Sequence, residues 1–357
     1  MKIVYVYADK PGEWNSSEWR CAIPARSINQ TGRHKAELIN IQDFSANTTV
    51  ARKACNDADV LVIQRKLYGP VLAAIQHWKA RDKAIVVDFD NAYQLIPETH
   101  PDYAFWALGF EDRPGGEQVK LDPTPLKEFQ WGLRLAHAVT VPSKRLADDW
   151  QAYANVQYLP NYIELRNYEF ACAESHNGTI IGWGGSASHT DSFRGSGVFE
   201  ALRNVCHVRP DVKIMICGAR SVYDQLPVPE EQKIFQPWVP YTRWPQMLSS
   251  FDIGLAPLFG EYDQRRSWIK ALEYMVMKIP WVASESPAYN DLRGYGWMVK
   301  NTPGAWERVL LDMVDNREAY KKEAAGEAYV FSIGQNIDEN IDAVLATYAS
   351  IQERALV

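Results

Sequence analysis

The sequence is poor in cysteine, with five in 357 residues, at positions 21, 55, 172, 206 and 217. None stands in a C-x-x-C arrangement, which speaks against a zinc site, and an odd, scattered set speaks against a disulfide framework. Reduced thiols and a cytoplasmic location are the expectation. Long hydrophobic runs are also lacking. No stretch approaches the roughly 20 apolar residues of a membrane helix, and the opening run over 3–7 is too short for a secretory core. There is no excess of basic charge: 38 Lys and Arg against 44 Asp and Glu leave a net charge of −6. That balance argues against a protein built to neutralise a phosphate backbone. Short-period repeats and low-complexity tracts are absent too, which sets aside solenoids and linker-like chains.

What the sequence has in quantity is aromatic side chains, 13 Trp and 18 Tyr among them. These are first of all core material, and they also suit stacking on sugars and bases. The length is comfortable for two domains. The first 165 residues are near neutral, and the remainder carries most of the negative charge. Arg20, Arg26, Arg33, His34 and Lys35 cluster in the near-neutral half. They form either a locally basic site or an ordinary solvated helix face.

Short apolar runs alternate with helical spacing along both halves. Strands are predicted over 3–8, 36–41, 60–64, 84–87, 138–141 and 156–159. Helices are predicted over 16–30, 70–80, 125–136 and 144–153, the last capped by Ser143. A polar, irregular stretch over 160–178 reads as a domain linker. The second half repeats the grammar, with strands over 179–183, 212–217, 233–238, 252–257, 280–283 and 296–300. Helices are predicted over 198–206, 244–251 and 267–278, with others starting at 303, 316 and 334. Continuous apolar strands between helices indicate parallel sheets covered on both faces. The expected fold class is α/β, two Rossmann-like doubly wound domains facing a central cleft. The first would span 1–165 and the second 178–333, with a C-terminal helix over 334–357 packing back on the first.

Two segments of the second half are suited to a phosphorylated ligand. The run RRSWIKALEYM (265–275) follows a strand, with Ser267 where a helix N-cap would fall. A helix N-terminus offers free N–H groups and a positive dipole end. Arg265, Arg266 and Lys270 add cationic charge there, and Glu273 lies three residues beyond Lys270 on one face. A carboxylate so placed can accept from two ribose hydroxyls. A surface helix with a Lys–Glu pair reads equally well. The run IGWGGSASHTD (181–191) ends a strand in glycines, so that Gly184, Gly185 and Ser186 could cradle a diphosphate. His189 could touch phosphate or sugar, and Arg194 could add charge. The alternative is a β–α turn with a capping serine. The same run fits a loose dinucleotide pattern over 182–187, a weak match because 189–197 reads as a loop where a helix should begin at once.

The run SWIKALEYMVMKIPWVAS (267–284) resembles the nucleotide-sugar segment of GT-B glycosyltransferases, in particular the large "group 1" set, bacterial or phage members included. The glycine-ended strand before it resembles the opening of their donor domain. The resemblance implies a glycosyltransferase using a nucleoside-diphosphate sugar, metal-independent, without a cofactor and mostly retaining. It places Glu273 on the donor ribose and Ser267 and Lys270 near the diphosphate. Lys278 stands where the family usually has glycine, and Arg265 stands where many members carry a further acid. In the first half, Asp88-Phe89-Asp90 follows a strand. Asp88 or Asp90 would orient an acceptor hydroxyl or serve as base, although two acids are also a common surface loop. Trp19, Arg20 and Arg26 follow the first strand and are the acceptor-side candidates. The acceptor itself, whether glycan, lipid-linked glycan, small molecule or modified DNA base, is not legible. A dinucleotide-dependent oxidoreductase and a non-catalytic protein that kept the double fold are the rival classes.

Overall fold

The computed structural model describes residues 1–113, 115–172 and 175–355. The chain divides into two compact units. The first holds Met1–Tyr162, the short segment Arg265–Ser267 and the C-terminal helix Ile337–Ala355. The second holds Ile163–Gln264 and Trp268–Asn336.

The first unit is built on strands β1 (Lys2–Tyr7), β2 (Lys35–Asn40), β3 (Val60–Gln64) and β4 (Ala84–Asp88), with β7 (Ala138–Val141) and β8 (Val156–Tyr158) completing the sheet. A separate hairpin, β5 (Phe110–Asp112) with β6 (Gln118–Lys120), stands apart from it. The sheet order is β2-β1-β3-β4-β7-β8, all parallel. β3, β4 and β7 are buried at every residue. Such strands must be apolar on both faces, and this is why VLVIQ and AIVVD read as continuous runs. The C-terminal helix lies on this core, with Tyr348 edge-on to Tyr5 at 6.1 Å and Asp338 accepting from Ser27 at 2.7 Å.

The second unit carries β9 (Thr179–Gly185), β10 (Val212–Gly218), β11 (Lys233–Gln236), β12 (Ile253–Ala256), β13 (Trp281–Ser284) and β14 (Trp297–Val299). Their order is β11-β10-β9-β12-β13-β14, again all parallel. Counted from β9 this is 3-2-1-4-5-6, the dinucleotide-fold order, and the order reverses between β9 and β12. In the first sheet the reversal falls between β1 and β3. The α/β class with two Rossmann-like sheets is therefore as the sequence predicts.

Ser143 caps its helix as expected, accepting from Leu146 N–H at 3.2 Å. Other local readings need correction. Residues 189–197 are not a loop: a helix, Thr190–Ser196, follows β9 after one 3-10 turn. The helix predicted over 267–278 runs Ile269–Val276, and its N-cap position is Trp268, without a side-chain cap. Ser267 instead accepts from Asn161 Nδ2 at 3.0 Å, a long-range partner that wins over the local one. The helix predicted over 16–30 opens with a π-turn, Glu18–Ala22, where Glu18 and Arg20 are both turned inward. The stretch over 160–178 is more than a linker, since Asn161, Glu164 and Tyr168 are buried.

Among the described residues no helix is long and apolar enough to cross a membrane. All five thiols are free. Cys55, Cys206 and Cys217 are pushed up to about 12 by burial, so they stay protonated and unreactive.

Lys278 has φ 57°, in the left-handed region just past the Ile269–Val276 helix. Glycine adopts this at no cost, which accounts for its use at the matching position in the family the run resembles. Lys278 is offset by its ammonium lying 4.3 Å over the Tyr329 ring. Lys278→Gly is expected to stabilise the fold by roughly 0.5–1 kcal/mol after loss of that contact. Urea melts read this directly, and a destabilised variant would mean that the ring contact dominates.

Candidate donor site in the second unit

In open α/β sheets ligands sit beyond the carboxyl ends of the strands, where the order reverses. In the second unit that point brings together the end of β9, the loop after β12 and the helix Ile269–Val276. Gly184 and Gly185 are the last residues of β9, and Ser186 begins the turn. Lys270 Nζ donates to the Gly184 carbonyl and stands 4.9 Å over the Trp183 ring. The glycine-ended strand and the Lys270 helix, 86 residues apart in sequence, thus meet.

Gly182 and Gly185 each have a packing reason. A Cβ on Gly182 would lie 2.2 Å from the Phe251 ring, and one on Gly185 would lie 2.5 Å from the Trp183 ring. Gly182 is therefore a mid-strand residue covered by Phe251, not the turn glycine of a dinucleotide loop. His189 is buried, edge-on to Trp183 at 5.5 Å, and its N–H bonds the Ser186 carbonyl at 3.2 Å. Ser186 and Ser188 share a hydroxyl–hydroxyl bond of 2.8 Å. Arg194 lies on the following helix, bonding Gln225 at 2.7 Å and pairing with Asp191 at 3.4 Å.

Glu273 is 1% exposed, one turn deeper in its helix than Lys270. Its Oε1 accepts from Trp244 Nε1 at 2.7 Å and from the Tyr168 hydroxyl at 3.1 Å. The loop after β12 is held by side chains that sequence reasoning missed. Asp263, only 3% exposed, accepts from Ser192 Oγ at 2.6 Å and from Phe259 N–H at 2.9 Å. Ser284 accepts from Leu258 N–H at 2.8 Å, and Asn301 donates to the Leu258 carbonyl at 2.9 Å. Apart from the Phe259–Asp263 bond, no spacing marks these contacts, because the partners lie 26 to 71 residues apart along the chain.

Arg265, Arg266 and Ser267 group with the first unit. Arg265 pairs with Asp149 at 2.9 Å, and its carbonyl accepts from Ser143 Oγ at 2.7 Å. Its guanidinium is thus met by a carboxylate.

The candidates of the first unit also occupy defined places. Asp88, at the end of β4, is 1% exposed and Arg20 4%. Arg20 Nε and Nη2 meet the two Asp88 oxygens at 2.9 and 2.6 Å, and Thr140 Oγ1 donates to Oδ2 at 2.6 Å. Arg20 Nη1 donates to the Leu159 carbonyl at 2.8 Å and to Asn161 Oδ1 at 2.9 Å. Burial pulls the guanidinium pKa down, but the Asp88 charge and hydrogen bonds, with the charges of Tyr348 and Asp90, together outweigh it and the net shift is upward. Asp90 accepts from Ser16 Oγ. Arg26 pairs with the buried Glu18 at 2.6 Å, and Arg33 with Asp342 at 2.5 Å. Trp19 is 7% exposed. The arginines of the 20–35 cluster are thus each met by a carboxylate. Among the described residues no group of three or more His, Cys, Asp or Glu side chains could hold a metal ion.

No family model matches the sequence, and no curated protein matches it. Solved structures do. Sucrose-phosphate synthase from Thermosynechococcus elongatus aligns over 98% of both chains with a TM-score of 0.66 at 10% identity. HepE from Anabaena, solved in complex with UDP and glucose, aligns over 98% of this chain and 99% of its own, with a TM-score of 0.63 at 12% identity. The N-terminal domain of Candida albicans trehalose-6-phosphate phosphatase aligns over 98% and 97%, with a TM-score of 0.64 at 9% identity. The fold is the GT-B architecture of glycosyltransferases. At such identities the likeness is one of fold, and function has to be argued from the site.

Proposed function

We propose that this protein is a glycosyltransferase that moves a sugar from a nucleoside-diphosphate sugar to an acceptor hydroxyl, with retention and without a metal. The observation that carries the reading is the contact between Lys270 and the Gly184 carbonyl. It sets a cation, a glycine-ended strand and a helix N-terminus around one point where the strand order reverses. There Lys270 and the backbone N–H groups of the helix's first turn meet the diphosphate, and Glu273 takes the ribose. A positive group held in place matters most as the glycosidic bond breaks and charge grows on the leaving diphosphate. His189, buried beside Ser186, is the side chain this reading assigns to the sugar or its phosphate. In this reading Asp88 is structural, because Arg20 and Thr140 occupy both its oxygens.

The similar fold of HepE, solved with UDP and glucose, supports a nucleotide-sugar ligand. Against the oxidoreductase stands Gly182, which lies mid-strand under Phe251 where a dinucleotide fingerprint needs a tight turn. The helix that follows β9 after one 3-10 turn, by contrast, suits either class.

A thermal-shift screen with UDP, GDP, TDP, ADP, CMP, NAD and NADP tests the proposal. A ligand at 100 times its Kd stabilises the native state by about 2.7 kcal/mol. That is a rise on the order of 5 °C or more for units of this size. One nucleoside diphosphate is expected to give it. A rise with NAD or NADP alone would replace the proposal with the oxidoreductase.

A further inference from the structure

Two neutral donors from separate segments converge on a single oxygen of Glu273. Tyr168 follows the 3-10 turn Leu165–Asn167, and Trp244 opens the helix Trp244–Leu248. Asn167 Nδ2 donates to the Tyr241 carbonyl at 3.1 Å and joins the two segments. Tyr168 is 4% exposed and Trp244 1%. A carboxylate this deep is costly unless donors hold it, and donors favour its charged form. Burial and then the Glu273 charge raise the Tyr168 phenol well above its ordinary value, so it remains a donor at any physiological pH. Trp Nε1–H can only donate. Trp244 therefore offers no acceptor at all, and the neutral Tyr168 oxygen is a weaker acceptor than the Glu273 carboxylate for incoming hydroxyls.

Resting on the donor-site reading above, we propose that Tyr168 and Trp244 are positioning residues. They hold Glu273 as a fixed acceptor and thereby make the site select nucleotides with an intact ribose diol over their deoxy counterparts. Selection of this kind requires a polar group held to within about half an ångström, since a mobile carboxylate finds other partners when a hydroxyl is missing. A hydroxyl–carboxylate bond is worth about 10- to 100-fold in affinity. With either of these donors removed, Glu273 is held less firmly and that factor shrinks. Sequence spacing points to Glu273 but not to this pair, which reaches it across 105 and 29 residues.

The test is calorimetric titration of wild type, Tyr168→Phe and Trp244→Phe with UDP, GDP and ADP and with their 2′-deoxy forms. Wild type should prefer the ribose form of its nucleotide by about 10- to 100-fold. Tyr168→Phe, which removes a single oxygen atom, should cut that ratio to a few-fold by weakening the ribose form more than the 2′-deoxy form, which keeps its 3′-hydroxyl. Trp244→Phe should move the ratio the same way, but it also opens the core, so Tyr168→Phe decides. An unchanged ratio in Tyr168→Phe, or an equal loss for both forms, would overturn the inference and leave the donor site standing. Equal binding of ribose and deoxy forms by wild type overturns it as well. A wild type that binds only TDP, itself a deoxy nucleotide, overturns the inference and leaves the donor site standing, and one that binds no nucleoside diphosphate removes the donor-site reading and this inference together.

Discussion

Arg20→Met is expected to cost the first unit about 3–5 kcal/mol, because it leaves the Asp88 carboxylate buried with only a hydroxyl partner. The pair is almost wholly out of water, at 4% and 1% exposure, with two short contacts to the two carboxylate oxygens. Asp88→Asn should cost a similar amount by stranding the guanidinium. For a unit of this size that loss lowers the melting midpoint by on the order of 10 °C. The double change Arg20→Met with Asp88→Leu removes both charges and should be more stable than either single variant, a coupling a double-mutant cycle measures. The same variants separate a structural Asp88 from a catalytic one. An Asp88→Asn protein that keeps its stability and loses turnover would make the carboxylate catalytic. Arg20 also bonds Asn161, and Asn161 bonds Ser267. The pair therefore braces the segment Arg265–Ser267 within the first unit.

Lys270→Ala is expected to weaken nucleoside-diphosphate binding by about 10- to 100-fold, the worth of one charge-assisted contact. Turnover should fall further, by on the order of 10²–10³, because charge on the leaving diphosphate grows toward the transition state. The unphosphorylated nucleoside should bind as to wild type. Glu273→Ala should weaken nucleoside and nucleotide alike, since its partner is the ribose. Titration of both ligands against both variants gives this crossed pattern. A Lys270→Ala protein that melts early yet binds nucleoside diphosphate normally would reduce Lys270 to a brace for the end of β9.

The elements of the chain were legible because their causes are local. VLVIQ and AIVVD can only be strands buried on both faces, and Ser143 caps a helix three residues away. The expected cap at Ser267 failed because Asn161, 106 residues distant, holds that hydroxyl. The loop expected over 189–197 failed because Gly195 and Gly197 depress helical propensity. There a glycine is needed under the Phe259 ring, where a Cβ would lie 2.2 Å away, and another at φ 82°. In both cases tertiary contacts outweighed local preference.

By itself, then, the sequence determined the two parallel sheets, the spacing that puts Lys270 and Glu273 on one helix and the glycines that end β9. These depend on periodicity and on neighbours within a turn. Tertiary structure decided the strand orders, the burial of Arg20 on Asp88, the grouping of Arg265–Ser267 with the first unit and the two donors that fix Glu273. The side-chain contacts among them join residues separated by 68, 105 and 29 positions. Pairing at such separation is set by which strands lie side by side and which buried polar groups then need a partner, and no local pattern encodes that.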